Sequence, residues 1–117
     1  MNYKNKTSDY ALYPTVCYEN IRHMLDKTAE RFGDRIAISY RRAPQDAEAV
    51  RLSFRTVRDE VAALGTALIA RGLRGKKIAL IGENSREWIY AYYAITSIGA
   101  VVVPIDKEYP AKDMAGI

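Results

Sequence analysis

Two short segments of the sequence have residue types that could bind an anion. The first, residues 72–77, reads GLRGKK and combines glycines with lysines, as phosphate-binding loops do. A Walker-type loop needs four residues between its glycines and a hydroxyl residue after the lysine, and it follows a strand. Here two residues separate the glycines, neither Ser nor Thr follows, and an apolar run comes afterwards. The segment is therefore interpreted as a turn.

The second segment, residues 82–85 (GENS), has the better position. It lies between a predicted strand and a predicted helix, and open α/β sheets bind ligands at such strand ends. It contains a single glycine, however, and the Glu83 carboxylate would repel an anion. Capping of the following helix accounts for Ser85, because its hydroxyl can accept an unpaired backbone N–H. We favour a structural turn and cap over a ligand site.

Cys17 and His23 are each the only residue of their kind in the chain. A nucleophilic pair would need a close hydrogen bond and a third group to orient the base, and nothing in the sequence demands either. A partly exposed histidine and a buried or inert thiol are expected instead. One Cys and one His also exclude a zinc site of four N/S ligands within one chain. A single cysteine allows no internal disulfide and fits a reducing compartment.

Three tyrosines crowd the predicted helix after Ser85, namely Tyr90, Tyr92 and Tyr93. Their rings could stack on a ligand, but packing in a core or an interface is the favoured interpretation, because buried aromatics commonly have that function. No catalytic, cofactor-binding or metal-binding constellation is predicted from the residues.

Composition fits an ordinary globular protein, with 49% hydrophobic and 27% charged residues. The net charge of +4 raises the question of nucleic acid, but the basic groups at 41–42 and 74–77 are short and acidic residues are interspersed. A mixed-charge surface is expected, with no nucleic-acid partner. Neither a signal peptide nor an apolar stretch of about 20 residues is present. A cytoplasmic protein is therefore expected, with contact to a membrane surface left open.

The first half of the chain predicts an arm, a helix, a hairpin and a second helix. Residues 1–19 form the N-terminal arm, and Asn20 caps a helix that ends at Gly33. Strands follow at residues 35–40, with Ile36 and Ile38 on one side, and at residues 50–54. A helix then opens at Thr56, and its apolar face is formed by Val57, Val61, Leu64 and Leu68.

The second half predicts a βαβ unit. An apolar run ends at Gly82, a helix covers residues 85–98, and Gly99 closes it before the next strand. The two strands should be parallel. Pro110 then suits the first position of another helix. The fold class is α/β, with a parallel or mixed sheet and flanking helices.

Five segments in order resemble the opening of the AMP-forming acyl-CoA synthetases, within the adenylate-forming superfamily. The amino-acid sequences of residues 82–88 and 106–110 are most similar to those of the long-chain fatty acid–CoA ligases. The resemblance covers residues 20–117, nearly the whole chain. The segments are residues 32–37 (FGDRIA), 52–57 (LSFRTV), 63–68 (ALGTAL), 81–88 (IGENSREW) and 99–106 (GAVVVPID).

This resemblance implies an enzyme that joins a carboxylic acid, here a fatty acid, to ATP with Mg²⁺, releases pyrophosphate and transfers the acyl group from AMP to coenzyme A. Residues 20–117 would be the N-terminal portion of the adenylation domain, truncated, with the remainder of that domain as partner. The phosphate loop, nucleotide contacts and lysine of the family match no residue here, so no catalytic, cofactor or metal residue is assigned. The isolated fragment is expected to be inactive, to hold no cofactor and to self-associate. The alternative is a complete small α/β binding or scaffold module with the tyrosine-rich helix as its interface.

Overall fold

The computed structural model describes residues 16–116, so most of the predicted arm lies outside the described residues. No helix among the described residues is long and apolar enough to cross a membrane. The described part contains three α-helices, four β-strands and one 3₁₀ helix. In chain order these are α1 (Ile21–Phe32), β1 (Ile36–Tyr40), β2 (Val50–Ser53), α2 (Phe54–Ala70), β3 (Lys77–Ile81), α3 (Arg86–Ser97), β4 (Val101–Ile105) and the 3₁₀ helix Ala111–Gly116.

The strands form two separate sheets of two strands each. β1 and β2 are antiparallel, which confirms the predicted hairpin, and β3 and β4 are parallel on either side of α3, which confirms the βαβ unit. The α/β class is thus confirmed. The described strands do not join into one mixed sheet.

Each helix begins where a side chain can accept an unpaired backbone N–H. Asn20 accepts from the His23 amide at 2.8 Å, and Ser85 accepts from the Trp88 amide at 3.1 Å, as the sequence predicts. The predicted start of α2 at Thr56 is wrong by two residues. Ser53 is the cap, since its Oγ accepts the Thr56 N–H at 3.1 Å, and Phe54 is therefore helical instead of ending β2.

The prediction that Ile36 and Ile38 share one side of β1 is also wrong. The register shifts between these two residues, where the hairpin has a bulge. A bulge disturbs the alternation of side chains, so Ala37 and Ile38 both pack against the core while Ile36 is 54% exposed.

The core lies where the three helices meet. α1 contributes Leu25, α2 contributes the predicted Val57 and Val61, and α3 contributes Ala94. A second cluster, formed by Ile95, Ile98 and Ala100 with partly buried Ile78 and Val102 around it, joins α3 to one face of the β3–β4 sheet. The opposite face of that sheet carries the exposed side chains of Ile81 and Val101. α3 is therefore fixed between α2 and the parallel sheet, which positions its N-terminus at the carboxyl ends of both strands.

Candidate functional site

The site that the sequence favours most for a ligand lies at the carboxyl ends of β3 and β4. The strands pair in register, with Ile81 opposite Ile105, and the chain leaves both strands at the same edge. An open depression of about 530 Å³ lies there. Its lining comprises residues 82–84, Trp88 and residues 104–107.

Glu83 and Lys107 join the two segments across this edge. Lys107 Nζ donates to Glu83 Oε1 at 2.9 Å, so the glutamate that would repel an anion is paired with a cation. This hydrogen bond, followed by the attraction of the two charges, holds the pKa of the Glu83 carboxyl below its ordinary value. The pair lies on the surface, with 79% of the Glu83 side chain exposed, so it contributes little to stability, and its contact links the two loops.

Hydrogen bonds to the backbone fix both loops. Ser85 Oγ accepts a hydrogen bond from the Trp88 amide, as the cap interpretation predicts. In the other loop Asp106 Oδ1 accepts from the Glu108 amide at 2.9 Å, and the Asp106 carbonyl accepts from the Tyr109 amide at 3.0 Å. The Asp106 loop is thus a turn that combines one side-chain hydrogen bond and one backbone hydrogen bond.

Among the described residues, this edge offers the Lys107 ammonium with Glu83 at 2.9 Å and Glu108 at 3.9 Å, one carboxylate engaged in a turn, and aromatic surface. Trp88 stacks on Tyr92, with ring centroids 5.5 Å apart and planes 15° apart. Within residues 16–116 no group of three or more His, Cys, Asp or Glu side chains is arranged to hold a metal ion. The structure thus supports the structural interpretation of residues 82–85, as a turn and a cap.

The remaining candidates from the sequence are dispersed. Residues 72–76 form a turn, with the Lys76 amide bonded to the Leu73 carbonyl and φ of +74° and +72° at its two glycines, and Lys77 begins β3. The Nδ1 atom of His23 accepts from the Glu19 amide at 3.3 Å, and its ring meets that of Tyr18 edge-on. The thiol is expected to be buried or inert; Cys17 is exposed, so the first of these alternatives does not hold.

The three tyrosines of α3 do not share one face. Tyr90 and Tyr93 pack against the helical core, which confirms the packing interpretation for both, while Tyr92 lies against Trp88. The Tyr90 hydroxyl is buried and has no hydrogen-bond partner in the structure. Its burial raises the pKa of Tyr90 above the ordinary value.

One functional contact of the edge was missed by the sequence analysis, although a signal for it exists. In parallel strands paired as Ile81 with Ile105, the residues two positions further along also face each other. Those residues are Glu83 and Lys107, which have opposite charges.

Comparison with known proteins places the chain in a family. The model of the family described as AMP-binding enzyme matches residues 25–117. This chain belongs to the AMP-binding enzyme family. The predicted resemblance is thereby confirmed at the level of the adenylate-forming superfamily.

Curated relatives of this AMP-binding chain include peptide synthetases and acyl-CoA ligases. The hybrid PKS-NRPS synthetase mycA of Thermothelomyces thermophilus is 34% identical over 101 residues, 85% of this chain and 2% of that protein. Tyrocidine synthase 1 of Brevibacillus parabrevis is 32% identical over 92% of this chain and 9% of that protein. The mitochondrial medium-chain acyl-CoA ligase ACSF2 of Mus musculus is 31% identical over 77% of this chain and 14% of that protein.

Solved structures show the same fold. The N-terminal subdomain of NpsA from Klebsiella oxytoca superimposes with a TM-score of 0.70 at 24% identity, over 82% of this chain and 24% of that one. IdnL1 superimposes with a TM-score of 0.72 at 25% identity, over 91% of this chain and 21% of that one. The AMP-binding chain thus spans a quarter or less of these proteins.

Proposed function

We propose that residues 20–117 are the N-terminal portion of the adenylation domain of an acyl-CoA ligase that activates a long-chain fatty acid. The observation that carries this proposal is the pair of segments at 82–88 and 106–110. The amino-acid sequences of these two segments are most similar to those of long-chain fatty acid–CoA ligases. The Glu83–Lys107 pair links the two segments at one edge of the parallel sheet. Among the curated relatives, ACSF2 is named as a medium-chain acyl-CoA ligase and another as a crotonobetaine/carnitine–CoA ligase.

The proposed reaction has two steps. A carboxylate oxygen of the acid attacks the α-phosphorus of ATP, a new P–O bond forms, and pyrophosphate leaves to give the acyl-adenylate. The coenzyme A sulfur then attacks the acyl carbon, a C–S bond forms, and AMP leaves with the electrons of the broken C–O bond. Mg²⁺ would neutralise phosphate charge in the first step.

The role proposed for this chain in that reaction is structural. Its strands and helices form the first part of the adenylation domain, and the residues that contact ATP, the acid and coenzyme A lie outside residues 1–117. Glu83 and Lys107 act as positioning residues, because their pair fixes the two loops at the carboxyl edge of β3 and β4.

A second candidate is the adenylation domain of a peptide synthetase. It is favoured by the identities to mycA and tyrocidine synthase 1, 34% and 32%, which slightly exceed the 31% identity to ACSF2. Both candidates share the first step, and they differ in the acid that is activated and in the acceptor of the acyl group.

The test uses the protein encoded by the whole reading frame that contains these residues. Pyrophosphate release is measured with ATP, Mg²⁺ and either a panel of fatty acids or a panel of amino acids, and thioesters of coenzyme A are sought by mass spectrometry. We expect release that depends on a long-chain fatty acid and a matching acyl-CoA product. Release with amino acids and no acyl-CoA would favour the peptide synthetase. Absence of release with every acid would favour the small binding module.

A further inference from the structure

Cationic side chains collect at the end of the molecule opposite the candidate site. There the amino ends of β3 and β4 meet the last turns of α2 and α3. Residues 61–82 contain four cations, Arg71, Arg74, Lys76 and Lys77, and no acidic residue, and residues 88–105 contain no charged residue at all. All four cations are exposed. Their combined charge equals the net charge of the chain, which is +4 because 18 Lys and Arg residues face 14 Asp and Glu residues.

These four cations are not neutralised locally. Within residues 16–116 none of them forms a salt bridge, whereas Lys27, Arg58 and Lys107 each have a carboxylate within 4 Å. Arg22 adds a fifth positive charge, because it lines the same depression as Arg74. Its own contact to Asp26 is long, at 3.9 Å between Nε and Oδ2.

Two exposed apolar side chains lie among these cations. Ile69 is 45% exposed and lines one depression together with Arg22 and Arg74. Val101 is 52% exposed and is the strand partner of Lys77, and its N–H donates to the Lys76 carbonyl at 2.9 Å. We call this set the amino-end surface: Ile69, Arg71, Arg74, Lys76, Lys77 and Val101.

We propose that the amino-end surface binds the surface of an anionic lipid membrane. An anionic bilayer interface matches both properties of this surface. Its lipid head groups carry negative charge that attracts the cations, and its apolar boundary can accommodate the two aliphatic side chains. A single-stranded nucleic acid would also offer phosphates, but proteins that bind single strands use aromatic side chains for stacking, and the amino-end surface has none. Duplex DNA could bind through its phosphates alone, so the test below includes it. The proposal does not depend on the proposed reaction, and the two can fail separately.

The test measures binding to vesicles of the protein encoded by the whole reading frame that contains these residues. Vesicles of phosphatidylcholine with and without phosphatidylserine are sedimented with the protein at low and at high salt. We expect binding only to the vesicles that contain phosphatidylserine, and we expect it to weaken as salt is added. Since a cation near such a surface contributes about 1 kcal/mol, or about fivefold in partitioning, Lys76→Gln/Lys77→Gln should weaken binding about 25-fold.

The matched control is Arg41→Gln/Arg42→Gln. It removes the same charge from an exposed loop in which Arg42 lines a depression with Asp46 and Glu48. We expect this variant to bind vesicles within about twofold of the wild type, because the loop lies outside the amino-end surface and Asp46 and Glu48 line the same depression as Arg42. Circular dichroism checks that both variants keep the fold.

Four results would overturn the proposal. They are absence of binding to phosphatidylserine at low salt, equal binding to pure phosphatidylcholine, an equal loss in both double variants, and binding to a duplex DNA oligonucleotide that shows the same loss in Lys76→Gln/Lys77→Gln. The last two results would assign the effect to net charge or to nucleic acid.

Discussion

Replacing Ile95 by alanine should test how α3 is held on the parallel sheet. Ile95 is 3% exposed and packs with Ile98 and Ala100, between α2 and the strands. Removing three of its carbons takes away burial and leaves a cavity, and such changes cost about 2–5 kcal/mol. We expect about 3 kcal/mol, since partly buried neighbours such as Leu68 can move into part of the space. A domain of this size is stabilised by about 5–15 kcal/mol in total, so the loss is large.

Urea unfolding followed by the emission of Trp88 is the assay. Trp88 is the only tryptophan, it is half-buried, and it stacks on Tyr92, so its emission should change when α3 unfolds. With a slope of about 2 kcal/mol per molar urea, a loss of about 3 kcal/mol lowers the midpoint by about 1.5 M. Eight hydrophobic residues are buried among residues 16–116, so the loss of packing at one of them removes a large share of the core.

The matched control is Ile69→Ala, the same substitution on another helix. Ile69 lies near the end of α2 and is 45% exposed, so we expect a loss below about 1 kcal/mol. If both variants lost equal stability, or if Ile95→Ala lost less than Ile69→Ala, the packing of α3 described above would be refuted. A changed slope would instead show that the variant alters the unfolded state.

Three further predictions concern caps, charge and association. Ser85→Ala should lower the free energy of unfolding by about 1 kcal/mol because it removes the α3 cap, and Asn84→Ala next to it by less than about 0.5 kcal/mol; equal losses in urea unfolding would contradict this. Lys107→Gln should raise the pKa of Glu83, which NMR titration measures. The pKa of Glu83 is lower in the folded state than in the unfolded state. The pair therefore stabilises the fold at pH values above the unfolded-state pKa, and this stabilisation is lost as the pH falls through the folded-state pKa. An unchanged Glu83 titration in the variant would refute the pairing. The isolated chain should self-associate through the open face of β3 and β4, and Ile81→Lys, outside the amino-end surface, should weaken this in sedimentation; a monomer at every concentration would disprove it.

Local signals allowed most helix boundaries to be predicted. Asn20 and Ser85 cap α1 and α3 as expected, and Gly99 ends the α3 segment with φ of +72°. These signals are local, since a cap needs only a side-chain oxygen and an amide three residues later. The role of Ser53 as the α2 cap was not predicted, because Ser53 also fits the end of the β-rich run before it. Where β2 ends depends on how it pairs with β1, and the local sequence does not specify that pairing.

Spacing on α3 contained more information than was used. Tyr90 and Tyr93 are three residues apart and Trp88 and Tyr92 are four apart, so helical geometry alone separates the two pairs. The structure has the first pair in the core and the second stacked outside it. The bulge between Ile36 and Ile38 could not be predicted in this way, because it depends on how β1 pairs with β2.

Parallel pairing explains why the segments that carry the family resemblance act as one unit. Since Lys77 pairs with Val101 and Ile81 with Ile105, every residue of β3 faces the residue 24 positions later. The offset continues past the strands, where Lys107 Nζ meets Glu83 Oε1, also 24 residues apart. A shift of the strand register would separate this pair and would also move Val101 away from Lys77. The register therefore determines both the carboxyl edge, where Glu83 and Lys107 pair, and the amino-end surface, whose four cations form no salt bridge within residues 16–116.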